Sequence, residues 1–110
     1  MPPALSQSEV LILVAIARLG DEAYGVTIRQ ELHDCTGRDV SMAAVYAALD
    51  RLERRGLARA RLSEPLPERG GRARRLYALT PAGRAIVLRE RDIALRIWQD
   101  LPLEAGERRR

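Results

Sequence analysis

The chain contains no lysine and no phenylalanine, and it has one cysteine, one histidine and one tryptophan. A single thiol, Cys35, makes no intrachain disulfide, so nothing calls for an oxidising compartment and a cytoplasmic setting is expected. One His, one Cys and no glycine-rich phosphate loop leave neither a metal set nor the positioned acid, base or nucleophile that catalysis needs. No enzyme, metal or cofactor is therefore expected, with Cys35 read as core and His33 as surface. The best apolar run, Val10 to Ala17, falls well short of the roughly 20 residues of a membrane span. No basic, cleavable signal segment opens the sequence, and no membrane partner is expected. Aromatic residues make up only 4%, so the core must come from Leu, Val, Ile and Ala.

What is present fits one small domain: 110 residues, 46% hydrophobic and 31% charged. The net charge of +4 hides an uneven distribution, and all 19 basic residues are Arg. Residues 1 to 50 carry three Arg against seven acids, whereas residues 51 to 75 carry nine Arg against three acids, a local net of +6. Such a block suits a polyanion, because guanidinium groups fork onto phosphates and guanine edges.

Ser6 and Glu9 form a capping-box pattern ahead of apolar residues Val10, Leu11, Val14, Ala15 and Leu19, which Gly20 ends. A second helix starts near Tyr24, with Gly25, Ile28, Leu32 and Cys35 on one face, and stops at Thr36-Gly37. Ser41 caps a third, whose inward stripe is Val45, Leu49 and Leu52 and whose end is Gly56. From Leu57 to Leu62 and again from Arg75 to Leu79 the period falls to two, with Pro65, Pro67 and Gly70-Gly71 between, which predicts a β-hairpin. Thr80 and Pro81 open a final helix running to Leu101 and closed by Pro102.

Three helices and a hairpin give a mainly α fold of winged helix-turn-helix order, with a C-terminal dimerisation helix. The expected limits are 1–80 for the winged domain, 81–102 for the dimerisation helix and 103–110 for a disordered basic tail. The third helix would enter a major groove of double-stranded DNA. Opposite its apolar stripe lie Ala43, Ala44, Tyr46, Ala47, Asp50, Arg51 and Arg54, just past Ser41. Small Ala side chains let the backbone approach base edges, while Tyr46 and Arg51 reach phosphate or base. In the wing, Arg69, Arg72 and Arg74 flank the glycine pair and are expected on phosphates or in a narrow minor groove. Asp50 and Glu53 are positioned to hold Arg residues as helical ion pairs instead. An alternative use of the same Arg block is a winged-helix module meeting an acidic protein partner.

The final helix has more apolar residues than one stripe requires. Val87, Ala94 and Leu101 recur at seven, Trp98 lies four beyond Ala94, and Ile86, Ile93 and Ile97 widen the face, so one side can pack on its own domain and another on a homodimer partner. A two-fold dimer would set the reading helices about 34 Å apart, one DNA turn.

The stretches AYGVTIRQEL, VSMAAVYAALDRLERRGLARARL and ERGGRARRLYALTPAGR resemble the PadR family of bacterial transcriptional regulators, over about Leu5 to Ile97. The most specific pieces are Tyr24-Gly25, Tyr46 five residues after Ser41, Leu49 and Leu52 before Gly56-Leu57, and Tyr77 with Leu79-Thr80 and Gly83. Met42-Ala43-Ala44 departs from the Pro-Gly-Thr-like triplet common at that place, and the single C-terminal helix resembles the small subfamily. The resemblance implies a homodimer on a palindromic operator, usually a repressor. It also implies, for some members, release by a small aromatic effector, for which Trp98 is the stacking candidate.

Overall fold

The computed structural model describes residues 4–65 and 73–103. Helix α1 is Gln7–Leu19, and a 3-10 turn, Gly20–Glu22, leads into α2, Gly25–Thr36. Helix α3, Met42–Arg54, is followed by β1, Ala58–Leu62, and β2, Arg75–Leu79, then by α4, Pro81–Trp98. The glycine-pair turn and the terminal Arg run lie outside the described residues.

Three of the four helices, α1, α3 and α4, begin where the sequence carries a side-chain cap. In α1 the Ser6 Oγ accepts the Glu9 N–H at 3.1 Å and Glu9 accepts the Ser6 N–H at 2.9 Å, closing the box. Ser41 Oγ accepts the Ala44 N–H at 3.0 Å, and Thr80 Oγ1 accepts the Gly83 N–H at 3.1 Å with Pro81 in the first turn. Gly20, Gly37 and Gly56, all with positive φ, follow the ends of the first three helices.

The core lies where α1, α2 and α3 meet the hairpin. Ile12, Leu13, Ile28, Val45, Leu49 and Leu52 are its largest fully shielded side chains, with Tyr77 closing the sheet side. On α1 the inward set is Glu9, Ile12, Leu13, Ala15 and Ile16. This corrects the expected stripe: Ala15 is buried, Leu11 and Leu19 are half-buried against the core, and Val10 and Val14 are only half-covered. The run is apolar on every side, so periodicity alone could not select a face. The cap does select it, because Glu9 and Ile12, Leu13 and Ile16 share one surface at spacings of three, four and seven.

Cys35 is also corrected, since its thiol is exposed. It sits in the last turn of α2, past the edge of the core, and donates to Glu31 Oε2 at 3.3 Å, whose carboxylate also pairs with Arg18 of α1. That carboxylate pushes the thiol pKa above its usual range. His33 is exposed, as expected.

Strands β1 and β2 pair antiparallel, Ala58 with Leu79 through Leu62 with Arg75. The ladder gains a third edge where the Tyr77 N–H donates to Ala23 O at 2.8 Å, fastening the sheet to the loop before α2. The start of α4 is locked against the end of α3: Thr80 Oγ1 donates to Gly56 O at 2.6 Å and Thr80 N–H to Leu57 O at 3.2 Å. A methyl group at Gly83 would stand 2.0 Å from Leu57 O, so only glycine allows this approach. Helix α4 ends at Trp98, three residues before the expected limit. Gln99 turns extended, Asp100 takes φ +60, and Leu101 precedes a proline, which disfavours helix there.

Candidate nucleic-acid interface

Helix α3 presents two unlike faces. Val45, Ala48, Leu49 and Leu52 are buried, whereas Ser41, Ala43, Ala44, Tyr46 and Ala47 are exposed together on the other side. No acidic residue lies in the first turn. The accessible surface of that first turn consists of methyl groups, a phenol and the positive end of the helix, with exposed carboxylates at its two edges, Asp39 before the cap and Asp50 paired with Arg54. Ser41 Oγ is occupied as an acceptor by the cap but keeps its hydroxyl hydrogen to donate. Tyr46, 48% exposed, lies against α2: a methyl at Gly25 would meet its hydroxyl oxygen at 2.5 Å. Gly25 and Tyr46 are thus a packing pair across the helix-turn-helix, a relation that their separation in sequence does not reveal.

The arginines expected at the interface divide sharply. Arg51 Nε donates to Glu9 Oε2 at 2.9 Å, tying α3 to the cap of α1. Glu9 is the buried charged residue of the core, and its pKa is lowered first by the Ser6 N–H it accepts and then by the Arg51 hydrogen bond. Arg54 pairs with Asp50 at 2.6 Å, the helical pair anticipated from the sequence. Glu53 takes a partner from the hairpin instead, accepting both its bonds from Arg75 at 2.9 and 3.0 Å, while Arg75 Nε donates to the Tyr77 hydroxyl at 3.1 Å. The Arg74 guanidinium lies 4.4 Å from the centre of the Tyr24 ring and is half-buried there. Arg51 and Arg74 therefore have intramolecular partners that sequence reading did not anticipate. Arg69 and Arg72 lie outside the described residues. Arg59 and Arg61, which sequence reading passed over, are exposed on β1.

Residues 12–89 match the family model described as the Transcriptional regulator PadR-like family. The chain belongs to this family. RosR of H. salinarum resembles it with a TM-score of 0.68 and 28% identity, over 88% of this chain and 80% of that one. A PadR family transcription regulator from Clostridium difficile has a TM-score of 0.66 at 22% identity, over 84% and 90% of the two chains. A PadR-like transcriptional regulator from Bacillus cereus has 0.64 at 22%, over 82% of each. These two show likeness of fold. No curated protein matches the chain.

The second expected surface of this PadR-like chain is α4. Val87, with Ile86, packs on the domain's own core, whereas Ala94, Ile97 and Trp98 are exposed, the last two by 62% and 69%. Leu101 falls beyond the helix end, so the expected repeat of seven closes at Ala94. Leu88 and Leu95, seven apart, form a second exposed ridge that the expected set omitted. A shallow groove of about 300 Å³ lies between α2 and the start of α3, lined by Arg29, His33, Asp39 and Met42 among others, with Trp98 on a different element. Among the described residues no helix is long and apolar enough to cross a membrane.

Proposed function

We propose that this chain is a sequence-specific DNA-binding regulator that acts in the cytoplasm as a homodimer on a palindromic operator, most simply as a repressor and without enzymatic activity. The carrying observation is the bare outer face of α3: three Ala side chains, the Ser41 hydroxyl and the Tyr46 phenol beside a helix N-terminus whose first turn lacks acids. Such a face lies close to base edges, where methyls meet thymine C5-methyl groups and hydroxyls bond base or phosphate. Ser41, Ala43, Ala44, Tyr46 and Ala47 carry the base contacts, and Arg69 and Arg72 carry the wing. Arg51 and Arg74 act on DNA through the elements they hold in place. Family membership supports regulation of transcription.

Dimerisation rests on the distal half of α4, where Ala94, Ile97 and Trp98 continue the stripe begun at Ile86 and Val87 past the end of their own domain. A small aromatic effector would stack on Trp98 within that dimer. The test is selection of duplexes from a random pool by the purified chain, followed by sedimentation of the free protein and its complex. An inverted-repeat motif bound by two chains is expected; recovery of no enriched motif would overturn the reading. The competing use of the fold, as a module whose Arg block meets an acidic protein partner, would have to draw on the exposed Arg59 and Arg61, because Arg51, Arg54 and Arg75 are paired internally. It predicts heparin retention without duplex binding.

A further inference from the structure

Packing sets how deep α3 sits, through Val45, Leu49 and Leu52, but the orientation of its exposed first turn depends on the chain that enters it. Gly37, with φ +71, ends α2, and Ser41 caps α3. Between them Arg38 and Asp39 are exposed, and Val40 is half-buried against the core. So short a stretch of exposed backbone has few contacts of its own to hold one conformation. Side chains of α2 supply them. The Arg38 N–H donates to Thr36 Oγ1 at 3.1 Å, and Arg29 Nε donates to Val40 O at 2.6 Å, across 11 residues. His33, one turn beyond Arg29, brings its Nε2 to 3.6 Å from Asp39 Oδ1. Arg29 also lines the shallow groove with Val26 and Met42, so its side chain spans the gap between the two helices.

The Val40 carbonyl is the last one before the cap, and its peptide plane carries the Ser41 nitrogen. Ser41 Oγ accepts the Ala44 N–H at 3.0 Å and Ser41 O accepts the Val45 N–H at 3.1 Å. Rotation of that plane therefore moves the first turn of α3, with Ser41, Ala43 and Ala44 on it. By composition alone an exposed arginine beside a reading helix is a phosphate contact. The geometry of Arg29 differs, because its Nε is engaged by the backbone of the turn. That bond needs a donor at the Nε position and does not need the positive charge. We infer that Arg29 is a positioning residue for base recognition: through Val40 O it holds the first turn of α3 in the orientation that reads a sequence. This role rests on the DNA-binding reading above, and it belongs to a residue with no base contact of its own.

Two substitutions separate positioning from phosphate contact. Gln carries a neutral N–H donor, Nε2, as many bonds from Cα as the arginine Nε, whereas Met has a stem of similar length and no donor. Affinity of the full chain is measured for the duplex enriched by selection and for a random duplex of equal length, each between about 50 and 200 mM salt. The ratio of the two affinities is the readout, since any unfolded fraction lowers both by the same factor. Arg29→Met is expected to reduce the ratio about tenfold, the scale of one hydrogen bond from a charged donor. Arg29→Gln restores most of it, and both variants keep the wild-type slope of log affinity against log salt on the random duplex. A slope reduced by about 0.9 in both variants makes Arg29 a phosphate contact and overturns the inference. A wild-type ratio in Arg29→Met, or a ratio in Arg29→Gln as low as that of Arg29→Met, overturns it too, and in each of these cases the DNA reading stands. Equal affinity of the wild-type chain for the two duplexes overturns both.

Discussion

In α3, Val45, Leu49 and Leu52 are wholly shielded from solvent, whereas in the last two turns of α4, Leu95, Ile97 and Trp98 are more than 60% exposed. Both helices are amphipathic and similarly mixed in composition, so the difference lies in what stands beneath them. Helix α3 rests on α1, α2 and β1 along its length. Helix α4 meets the core of its own domain through Gly83, Ile86 and Val87, with Ile93 half-buried beyond them, and its 18 residues extend about 27 Å at 1.5 Å each. The first region is stabilised by its own chain, and the second leaves an apolar surface that no described residue covers. Amphipathic pattern says that a face will be covered, and only topology says by what.

The largest effect expected from breaking that contrast is at the core. Leu49→Ala removes a fully buried side chain from the junction of three helices and should lower unfolding free energy by about 4 kcal/mol. Chemical denaturation should return this loss at any protein concentration, since the site faces its own domain. A loss that shrinks as protein is concentrated would place α3 at an interface and erase the distinction.

Gly83→Ala tests the hinge between the two regions. The added methyl meets a backbone oxygen, Leu57 O, which has no rotamer by which to move aside. Helix α4 must therefore lift, breaking the Thr80 bonds to Gly56 O and Leu57 O, at a cost of about 3 kcal/mol. Thermal unfolding measures it, and an unchanged midpoint would mean that α4 is not held at this point.

Glu9→Gln is smaller and depends on pH. Gln keeps the cap, accepting the Ser6 N–H, but leaves Arg51 without its counter-charge, for a loss of about 1.5 kcal/mol near neutrality. The Glu9 carboxyl is shifted down in the folded state, so its contribution is complete above the unfolded value of about 4.3 and drains as pH falls through the lowered folded one. Wild type and variant should therefore differ at pH 6 and converge only as the pH falls below the lowered folded value. A difference independent of pH would assign the effect to packing instead of charge.

These residues also show where the sequence was legible. Caps, helix-ending glycines and the period-two strands are local chemistry, so Ser6, Ser41, Thr80 and the two strands of the hairpin could be read directly. The long-range choices could not. Nothing local says that Glu9 answers Arg51, 42 residues away, or that Glu53 bonds Arg75 and not a helical neighbour. A signal for the first did exist: an acid at the third residue of a helix whose middle is apolar on every side shares the inward face and needs a cation. Cys35 was misread because its helical phase agrees with Ile28 and Leu32 while the core ends one turn earlier. Helix α4 was overextended because its apolar residues continue to Leu101, while Pro102 acts on the residue before it and Asp100 turns the chain first. Of the candidate interface, the bare α3 face was readable from spacing, but which arginines remain unpaired needed the fold.

Trp98→Ser should produce the smallest change in the stability of the isolated domain and the sharpest contrast with Leu49→Ala. At 69% exposure, Trp98 buries little against its own chain, so the substitution should move the unfolding free energy of dilute protein by under about 0.5 kcal/mol. If the distal α4 stripe is covered by a second copy, the wild-type midpoint must rise with protein concentration, because the partner binds only the folded form. Trp98→Ser would remove most of that rise, since an aromatic side chain at the centre of an apolar patch is the residue type on which such contacts depend most. Sedimentation at micromolar concentration should then give a dimer for wild type and a monomer for the variant. The indole emission of the wild type should shift to shorter wavelength as the protein is concentrated, reporting the same burial. A wild-type midpoint and emission that both ignore concentration would mean that the stripe is not covered by a second copy, and a palindromic operator would then have to be read one chain at a time.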